Sequence, residues 1–245
     1  MSTENANVFK KDNLDLYLKE LAKEYKKMVG RNMPAEIILI GGAAVIENYG
    51  FRDMTTDIDA IISATSAMKD AINHVGDRFG LPNGWLIADF QKTGSYSSKL
   101  LQYSSFYRTF NQVLNVRVVT GEYLIAMKLR AFRQYKNDLS DIIGVLAEHE
   151  KRGDPMTFEQ IEKAVTDLYG SWDGFPKGAK DFIMNTFSSG NYEKIYDLVR
   201  QNEKDARADL IDFEGKYPGV LKTDNVEDVL QNLRARKRRD DPERY

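Results

Sequence analysis

The 245-residue sequence predicts an α/β (α+β) N-terminal domain with a small mixed sheet, followed by an all-helical C-terminal domain. Two observations support this division. Short apolar and β-branched strand patterns alternate with helical patterns up to about residue 121, whereas every later pattern has helical periodicity. We therefore predict one domain over residues 1–121 and a second over residues 122–245.

In the first half, leucines and tyrosines at helical spacing predict a helix over residues 14–29, ended by Gly30 and Pro34. A short apolar strand over residues 35–40 follows, and Gly41-Gly42 then turns the chain into a helix over residues 43–49. The other predicted elements are a strand over residues 56–62, a helix over 66–79 and a hairpin pairing 106–110 with 113–119.

In the second half, glycine and proline separate five segments of helical periodicity. The predicted helices cover residues 122–134, 139–150, 157–169, 177–186 and 192–204.

The composition excludes several classes of site. The chain has no cysteine, so disulfides, zinc thiolates and a cysteine nucleophile are excluded. It has only two histidines, so we do not expect a histidine-based metal site. A metal would be held by carboxylate oxygens, which favour Mg²⁺ or Mn²⁺. The N-terminal stretch MSTENANVFKKDNLD is polar, and no apolar run approaches the roughly 20 residues of a membrane span. We expect a cytoplasmic protein with no membrane partner.

Asp57 and Asp59 stand out because only Ile58 separates them at an apolar strand. On a strand they would share one face with Ile61, while Ile58 and Ala60 would share the other. Two adjacent carboxylates repel each other and lose water on burial, and a divalent cation would compensate both effects. The alternative is a strand end that emerges into solvent.

Gly41 and Gly42 stand between a strand and a helix start. Free backbone N–H groups and the positive end of the helix can meet an anion there, because glycine has no Cβ. Asp57 follows Gly41 by sixteen residues, on the next predicted strand. A phosphate cradle beside metal-binding carboxylates is what nucleotidyl transfer requires.

Gly41-Gly42 followed by Thr55-x-Asp57-Ile58-Asp59 resembles the polymerase-beta-like nucleotidyltransferase superfamily, whose first motif is hG[GS] with a downstream DxD. The segment EYLIAMKLRAFRQYKNDLSDIIGVL is similar to a later motif of small bacterial nucleotidyltransferases related to abortive-infection toxins. The resemblance covers residues 35–62 and 115–146 and implies a nucleotidyltransferase-type fold for the first domain.

The resemblance implies roles for individual residues. Asp57 and Asp59 would be catalytic and would bind Mg²⁺ (or Mn²⁺), and Asp138 would be a further catalytic or orienting acid. Asp141 would support the helix start. The expected nucleotide-binding residues are Gly41, Gly42, Thr55, Lys128 and Arg52. Arg52 stands one residue farther from Asp57 than the related arginine, and Asp53 takes that residue's place.

The third carboxylate of many superfamily members is missing from its strand. No Asp or Glu occurs between Asp89 and Glu122, and Asn115 or Arg117 falls where an acid is expected. We predict that Asp138 enters the site from the helical half, with Lys128 facing the same cleft between the two halves.

The implied function is metal-dependent transfer of an NMP from an NTP to a hydroxyl of a tRNA 3′ end, another RNA, a small molecule or a protein. The same chemistry would serve a toxin that has an antitoxin partner. The alternative is an inactive member that acts as a binding or scaffold protein.

Several features also have plainer interpretations. Lys128 fits a surface lysine, and Asp138 and Asp141 fit acids at a helix N-terminus. The acid-free residues 90–121 mix cations with aromatic residues, which fits either nucleic-acid contact or a plain hairpin. A terminal cluster fits either a solvated helix end or an RNA-binding tail; its members are Arg234, Arg236, Lys237, Arg238 and Arg239.

Overall fold

The computed structural model describes residues 8–240, so the first seven residues of the polar N-terminal stretch lie outside it. The strands of the described part are β1 (Ala35–Leu39), β2 (Ile58–Ser63), β3 (Leu86–Ile87), β4 (Ser104–Phe110) and β5 (Leu114–Val119). They form one mixed sheet in the order β3-β2-β1-β5-β4. β1 is antiparallel to β2 and parallel to β5, and β4 and β5 form the predicted antiparallel hairpin.

The α-helices of the first half are α1 (Lys11–Val29), α2 (Gly41–Asn48) and α3 (Ala67–Phe79). Those that follow the sheet are α4 (Gly121–Ala131), α5 (Asp138–Lys151), α6 (Phe158–Tyr169), α7 (Ala179–Ser189), α8 (Tyr192–Lys216) and α9 (Val226–Asp240). Two 3₁₀ helices, Asp89–Lys92 and Ser98–Leu101, lie between β3 and β4. No helix within residues 8–240 is both long and apolar enough to cross a membrane.

The predicted α+β architecture with a small mixed sheet is confirmed. Most predicted bounds differ from the structure by one to three residues, but α8 continues twelve residues beyond its predicted end at residue 204. β3 was not predicted, because it is two residues long and is defined by its parallel pairing with β2. No bounds were predicted for α9, whose sequence VEDVLQNLRARKRRD is dominated by charged residues, although a helix end was one interpretation of its basic cluster.

The main apolar core is continuous across residue 121. It joins Ile37 of β1 and Val116 of β5 to Leu124 of α4, Ile142 of α5 and Ile161 of α6, all of them buried. α8 and α9 share a separate small core of Ala206, Leu210, Val226 and Leu230, against which Tyr135 packs. The division into two domains at residue 121 stays a prediction. The continuous core joins α4 and α5 to the sheet.

Candidate functional site

Gly41 begins α2 directly beside the start of β2. Because β1 and β2 are antiparallel, with Leu39 opposite Ala60, the end of one strand meets the beginning of the other. Gly41 has a φ of +56°, and a Cβ there would lie 2.9 Å from Asp59 Oδ2. Glycine is therefore needed both for the left-handed backbone and for the close approach of the carboxylate.

Asp57 immediately precedes β2, and Asp59 is the second residue of that strand. Both side chains are partly exposed, whereas Ile58 and Ala60 are fully buried, so the predicted alternation of faces is confirmed. Burial raises the pKa of Asp59 above its ordinary value, and the charge of Asp57 raises it further. The two carboxylates thus form a pair of like charges that a bound cation would relieve.

Thr55 packs beneath Gly42 and links the two motifs. A Cβ on Gly42 would overlap the Thr55 hydroxyl and lie 3.0 Å from Arg52 Nη2. The buried Thr55 hydroxyl donates to Asp57 Oδ1 over 3.3 Å and accepts from Arg52 Nη2 over 3.3 Å. The backbone of Thr55 also pairs with that of Phe9. The loop that carries Asp57 is therefore held tightly against the glycine turn.

Arg52 and Lys128 meet at Asp141. Arg52 Nη1 and Lys128 Nζ each lie 2.7 Å from Asp141 Oδ2, and Lys128 Nζ is also 3.3 Å from Asp138 Oδ1. Burial would lower the pKa of Lys128, but the charges of Asp141 and Asp138 outweigh it and raise that pKa above its ordinary value. Lys128 is therefore a buried, charged lysine, and its interpretation as a surface lysine is wrong.

Asp138 begins α5 and is held by two cations. Arg133 Nε lies 2.7 Å from Asp138 Oδ2 and Arg133 Nη2 lies 3.1 Å from Oδ1, while Lys128 approaches Oδ1 as well. Burial would raise the pKa of Asp138, but the charges of Lys128 and Arg133 and the hydrogen bonds of Arg133 hold it below its ordinary value. Asp138 is therefore stably ionised. Its role as the third acid stays a prediction.

A family model described as "Nucleotidyltransferase of unknown function (DUF6036)" matches residues 17–150, which is more than half of the chain. This chain belongs to that family. The segment that matches the DUF6036 model contains the glycine turn, the Asp57/Asp59 pair and the Lys128–Asp141 cluster. Comparison with curated proteins gave no match, and neither did comparison with solved structures.

β5, on which the sequence resemblance leads us to expect a third acid, carries none in this DUF6036 protein. On β5, Asn115 Oδ1 accepts a hydrogen bond of 2.7 Å from Thr109, and Arg117 Nε donates to Ser104 Oγ over 2.8 Å. Within residues 8–240, no three His, Cys, Asp or Glu side chains are grouped closely enough to hold a metal ion. Two aspartates nevertheless fit Mg²⁺, which commonly takes one or two carboxylates together with substrate phosphates and water.

The basic and aromatic stretch of this DUF6036 protein includes β4 and β5, and many of its groups are bound internally. Arg108 Nη1 lies 2.7 Å from Asp15 Oδ2, and Lys99 Nζ donates to the Asp167 carbonyl over 2.7 Å. Tyr103 stacks on Tyr123 with ring centroids 3.9 Å apart. A hairpin with its own partners accounts for these contacts, and nucleic-acid contact stays a prediction.

The terminal basic cluster lies on α9, where two of its members make internal contacts. Arg234 donates to the side chain of Gln134 and to the carbonyl of Asn202, and Lys237 Nζ lies 2.5 Å from Asp209 Oδ1. These two residues attach α9 to α8 and to the segment before α5. The RNA-binding tail stays a prediction.

Two cations near the site were not singled out from the sequence. Arg133 and Lys136 lie on the α4–α5 loop (residues 132–137). Their positive charges, like that of Lys128, lower the pKa of Asp59 and so partly oppose the effect of its burial. The available signal was their position between Lys128 and Asp138 within the segment of resemblance. An isolated basic residue on a loop carries little information by itself, because most are solvated surface groups.

Glu203 of α8 was also missed, although it is buried against the start of α5. Its Oε1 accepts hydrogen bonds from the backbone N–H groups of Leu139 and Ser140, over 2.9 and 3.1 Å. Its Oε2 accepts one of 2.5 Å from the Ser140 hydroxyl. Burial raises the pKa of Glu203 to about 7 despite these bonds, and the charge of Asp141 adds to the increase.

Proposed function

We propose that this chain is a divalent-metal-dependent nucleotidyltransferase, which moves an NMP from an NTP to a hydroxyl acceptor. The observation that carries the proposal is the contact between the two motifs, since a Cβ on Gly41 would lie 2.9 Å from Asp59 Oδ2. A phosphate held at the glycine turn would thus lie beside the carboxylate pair. Membership of the DUF6036 family supports the general class of reaction.

Asp57 and Asp59 would hold Mg²⁺ or Mn²⁺. When bound, the metal would neutralise charge on the triphosphate and favour ionisation of the attacking hydroxyl. The raised pKa of Asp59, due first to burial and then to Asp57, supports this role, because a cation would remove the repulsion between the two carboxylates.

The other residues would bind and orient the nucleotide. The backbone N–H groups at Gly41 and Gly42 begin α2, where the positive helix end favours phosphate. Thr55 and Arg52 hold the adjacent loop in place, and Lys128 supplies a permanent positive charge behind them. The acceptor oxygen would form a bond to the α-phosphorus, pyrophosphate would leave, and the hydroxyl proton would pass to a carboxylate such as Asp138.

The proposal is tested by incubating the full chain with Mg²⁺ or Mn²⁺, each α-labelled NTP, and either total RNA or protein extract. We expect label to enter one acceptor fraction, with release of pyrophosphate. The matched control is the Asp57→Asn/Asp59→Asn double variant, which should transfer no label. Absence of transfer from every NTP to every fraction, together with absence of NTP binding, would overturn the proposal.

The acceptor and the biological role are the finer part of the proposal. An RNA acceptor, such as a tRNA 3′ end, predicts label in the RNA fraction, whereas a protein or small-molecule acceptor predicts label elsewhere. A toxin role predicts growth arrest on expression, relief by Asp57→Asn, and a further protein that acts as antitoxin. Growth that Asp57→Asn does not restore would argue against a role of this chemistry in toxicity.

An inactive scaffold protein is the second candidate. Two observations favour it. Within residues 8–240, no three His, Cys, Asp or Glu side chains could hold a metal ion together, and the carboxylate of Asp138 is already bound by Lys128 and Arg133. Melting temperatures with Mg²⁺ and each NTP separate the candidates. An active enzyme should be stabilised by metal and nucleotide together, whereas a scaffold that has lost nucleotide binding should show no change.

A further inference from the structure

Two exposed cations lie on the α4–α5 loop beside the buried ion pairs of the candidate site. Arg133 contacts Asp138, which also contacts Lys128, and Lys136 follows Arg133 by three residues on the same loop. We propose that Arg133 and Lys136 bind the phosphates of the NTP triphosphate. This inference rests on the proposed function and adds two residues to the same site.

Arg52 and Lys128 already have protein partners for their charges. The three donor groups of Arg52 contact Asp141, Thr55 and the Met54 carbonyl, and its side chain is only 15% exposed. Lys128 is 9% exposed and lies between two carboxylates. Moving either cation onto a phosphate would remove one of the positive charges that stabilise the buried carboxylates of Asp138 and Asp141, which is unfavourable.

The charge balance of the site shows why further cations are needed. Arg52 and Lys128 offset the two carboxylates in the first turn of α5. The charges of Asp57 and Asp59 are then left uncompensated. A site with two net negative charges would repel a triphosphate. Arg133 and Lys136 bring this sum to zero, and bound Mg²⁺ would make it positive.

Arg133 and Lys136 also have nitrogen atoms available for a ligand. Arg133 is 46% exposed, and Asp138 engages its Nε and Nη2. Within residues 8–240, neither Arg133 Nη1 nor Lys136 Nζ makes a hydrogen bond, and Lys136 is exposed. Asp138 therefore orients Arg133 and leaves one edge of the guanidinium free, as phosphate binding requires.

The loop itself is held by the C-terminal helices. Phe132 adopts a left-handed φ of +46° and packs edge-on against Phe182 of α7, with ring centroids 5.6 Å apart. Arg207 of α8 donates to the Tyr135 carbonyl over 3.3 Å and to Asn137 Oδ1 over 3.0 Å. The two cations thus extend from a fixed backbone, which reduces the entropy lost when a phosphate is bound.

The test measures binding of a nontransferable NTP analogue, the matching NMP and the nucleoside to the full chain with Mg²⁺. The variants are Arg133→Gln and Lys136→Gln. Controls that each remove one exposed cation elsewhere are Arg31→Gln, before β1, and Lys69→Gln, on α3. Both control positions lie near the opposite end of the strands from Gly41 and Asp59.

We expect each loop variant to weaken binding of the NTP analogue by about tenfold, the scale of one charge-assisted hydrogen bond, and to leave nucleoside binding unchanged. The controls should bind as the wild type does. Circular dichroism and melting temperature verify folding, and Lys136→Gln is the cleaner variant because Lys136 has no carboxylate partner within residues 8–240.

The outcomes separate this inference from the function on which it rests. A wild-type chain that binds no NTP overturns both. If the wild-type chain binds the NTP analogue and both loop variants bind it equally tightly, this inference alone is overturned. Equal losses in the loop variants and in the controls also overturn it, because the effect would then come from net charge rather than from direct contact.

Discussion

Arg52 Nη1 lies 2.7 Å from Asp141 Oδ2, although 89 positions separate the two residues in sequence. Asp141 also forms a salt bridge with the ammonium of Lys128, and the side chain of Asp141 is only 3% exposed. One carboxylate of α5 therefore fixes the loop before β2 and the helix α4 at the same point.

Asp141→Asn should lower the free energy of unfolding by about 3 kcal/mol, because it leaves two cations beside a neutral amide in a buried site. Arg52→Met should cost less, since Asp141 retains Lys128. Denaturant unfolding of both variants and of the double variant measures the coupling, which we expect to be about 1–3 kcal/mol. Additive effects of the two substitutions would contradict the pairing.

Asp57→Asn and Asp59→Asn should each abolish NMP transfer while the chain stays folded. Without metal, Asp59→Asn should also raise the melting temperature at neutral pH, because the substitution removes a charge that burial and Asp57 disfavour. Transfer assays and melting curves with and without Mg²⁺ measure both effects. Full activity in both single variants would exclude the carboxylate pair as the metal site.

Gly42→Val should weaken NTP binding, because it places a branched side chain where the triphosphate approaches the backbone, and it should also lower stability. Any side chain at Gly42 would overlap the Thr55 hydroxyl, so we expect Gly42→Ala to destabilise the fold by about 1–3 kcal/mol, as overpacking does. Removing the hydroxyl with Thr55→Ala should reduce that penalty. Equal penalties in the presence and absence of Thr55→Ala would show that the overlap is not the cause.

Asp138→Asn should reduce turnover by about 10²-fold or more, the scale of general acid–base catalysis, with a smaller effect on NTP binding. Lys128→Ala should act mainly on NTP binding and on stability, because it leaves Asp138 and Asp141 without their shared cation. The pH dependence of turnover distinguishes two roles for Asp138. If Asp138 is the general base, Asp138→Asn should remove the acidic limb of the pH profile of turnover. If Asp138 only positions Arg133, the shape of that profile should stay unchanged.

The order of the elements and the carboxylate pair could be predicted because both depend on local patterns. The alternation of Asp57, Ile58 and Asp59 identifies a strand face, and two glycines after a strand identify a turn. The contacts of Lys128 with both Asp138 and Asp141 could not be predicted from the sequence. Whether Lys128 is buried depends on how α4 packs against α5 and α6, which the periodicity of α4 alone does not reveal.

Long-range contacts also explain why Glu203 was missed. Glu203 accepts the N–H of Leu139 from 64 positions away, and a single glutamate on a long polar helix gives no sign of such a partner. The missing third acid is a different case. The sequence showed that β5 lacks a carboxylate, and the structure places Asp138 in contact with Lys128 and Arg133.

Glu203 should make stability depend on pH. Its pKa is raised by burial from about 4.5 to about 7, so the folded chain binds more protons than the unfolded chain between these values. The free energy of unfolding should therefore fall as pH rises through this window, by at most about 3 kcal/mol. Glu203→Gln should flatten that part of the curve. An unchanged slope in Glu203→Gln would mean that other groups cause the pH dependence.

Glu203 and Arg207 reach from α8 to the start of α5 and to the loop before it, although α8 lies beyond residues 17–150. Residues 17–150 therefore depend on α8 for hydrogen bonds that hold the start of α5 and the loop before it. A chimera with foreign C-terminal helices would leave the first amides of α5 without an acceptor and would release the loop that carries Arg133 and Lys136. Divergence of α8 among relatives that keep this architecture should be restricted at the few positions that touch α5 and that loop.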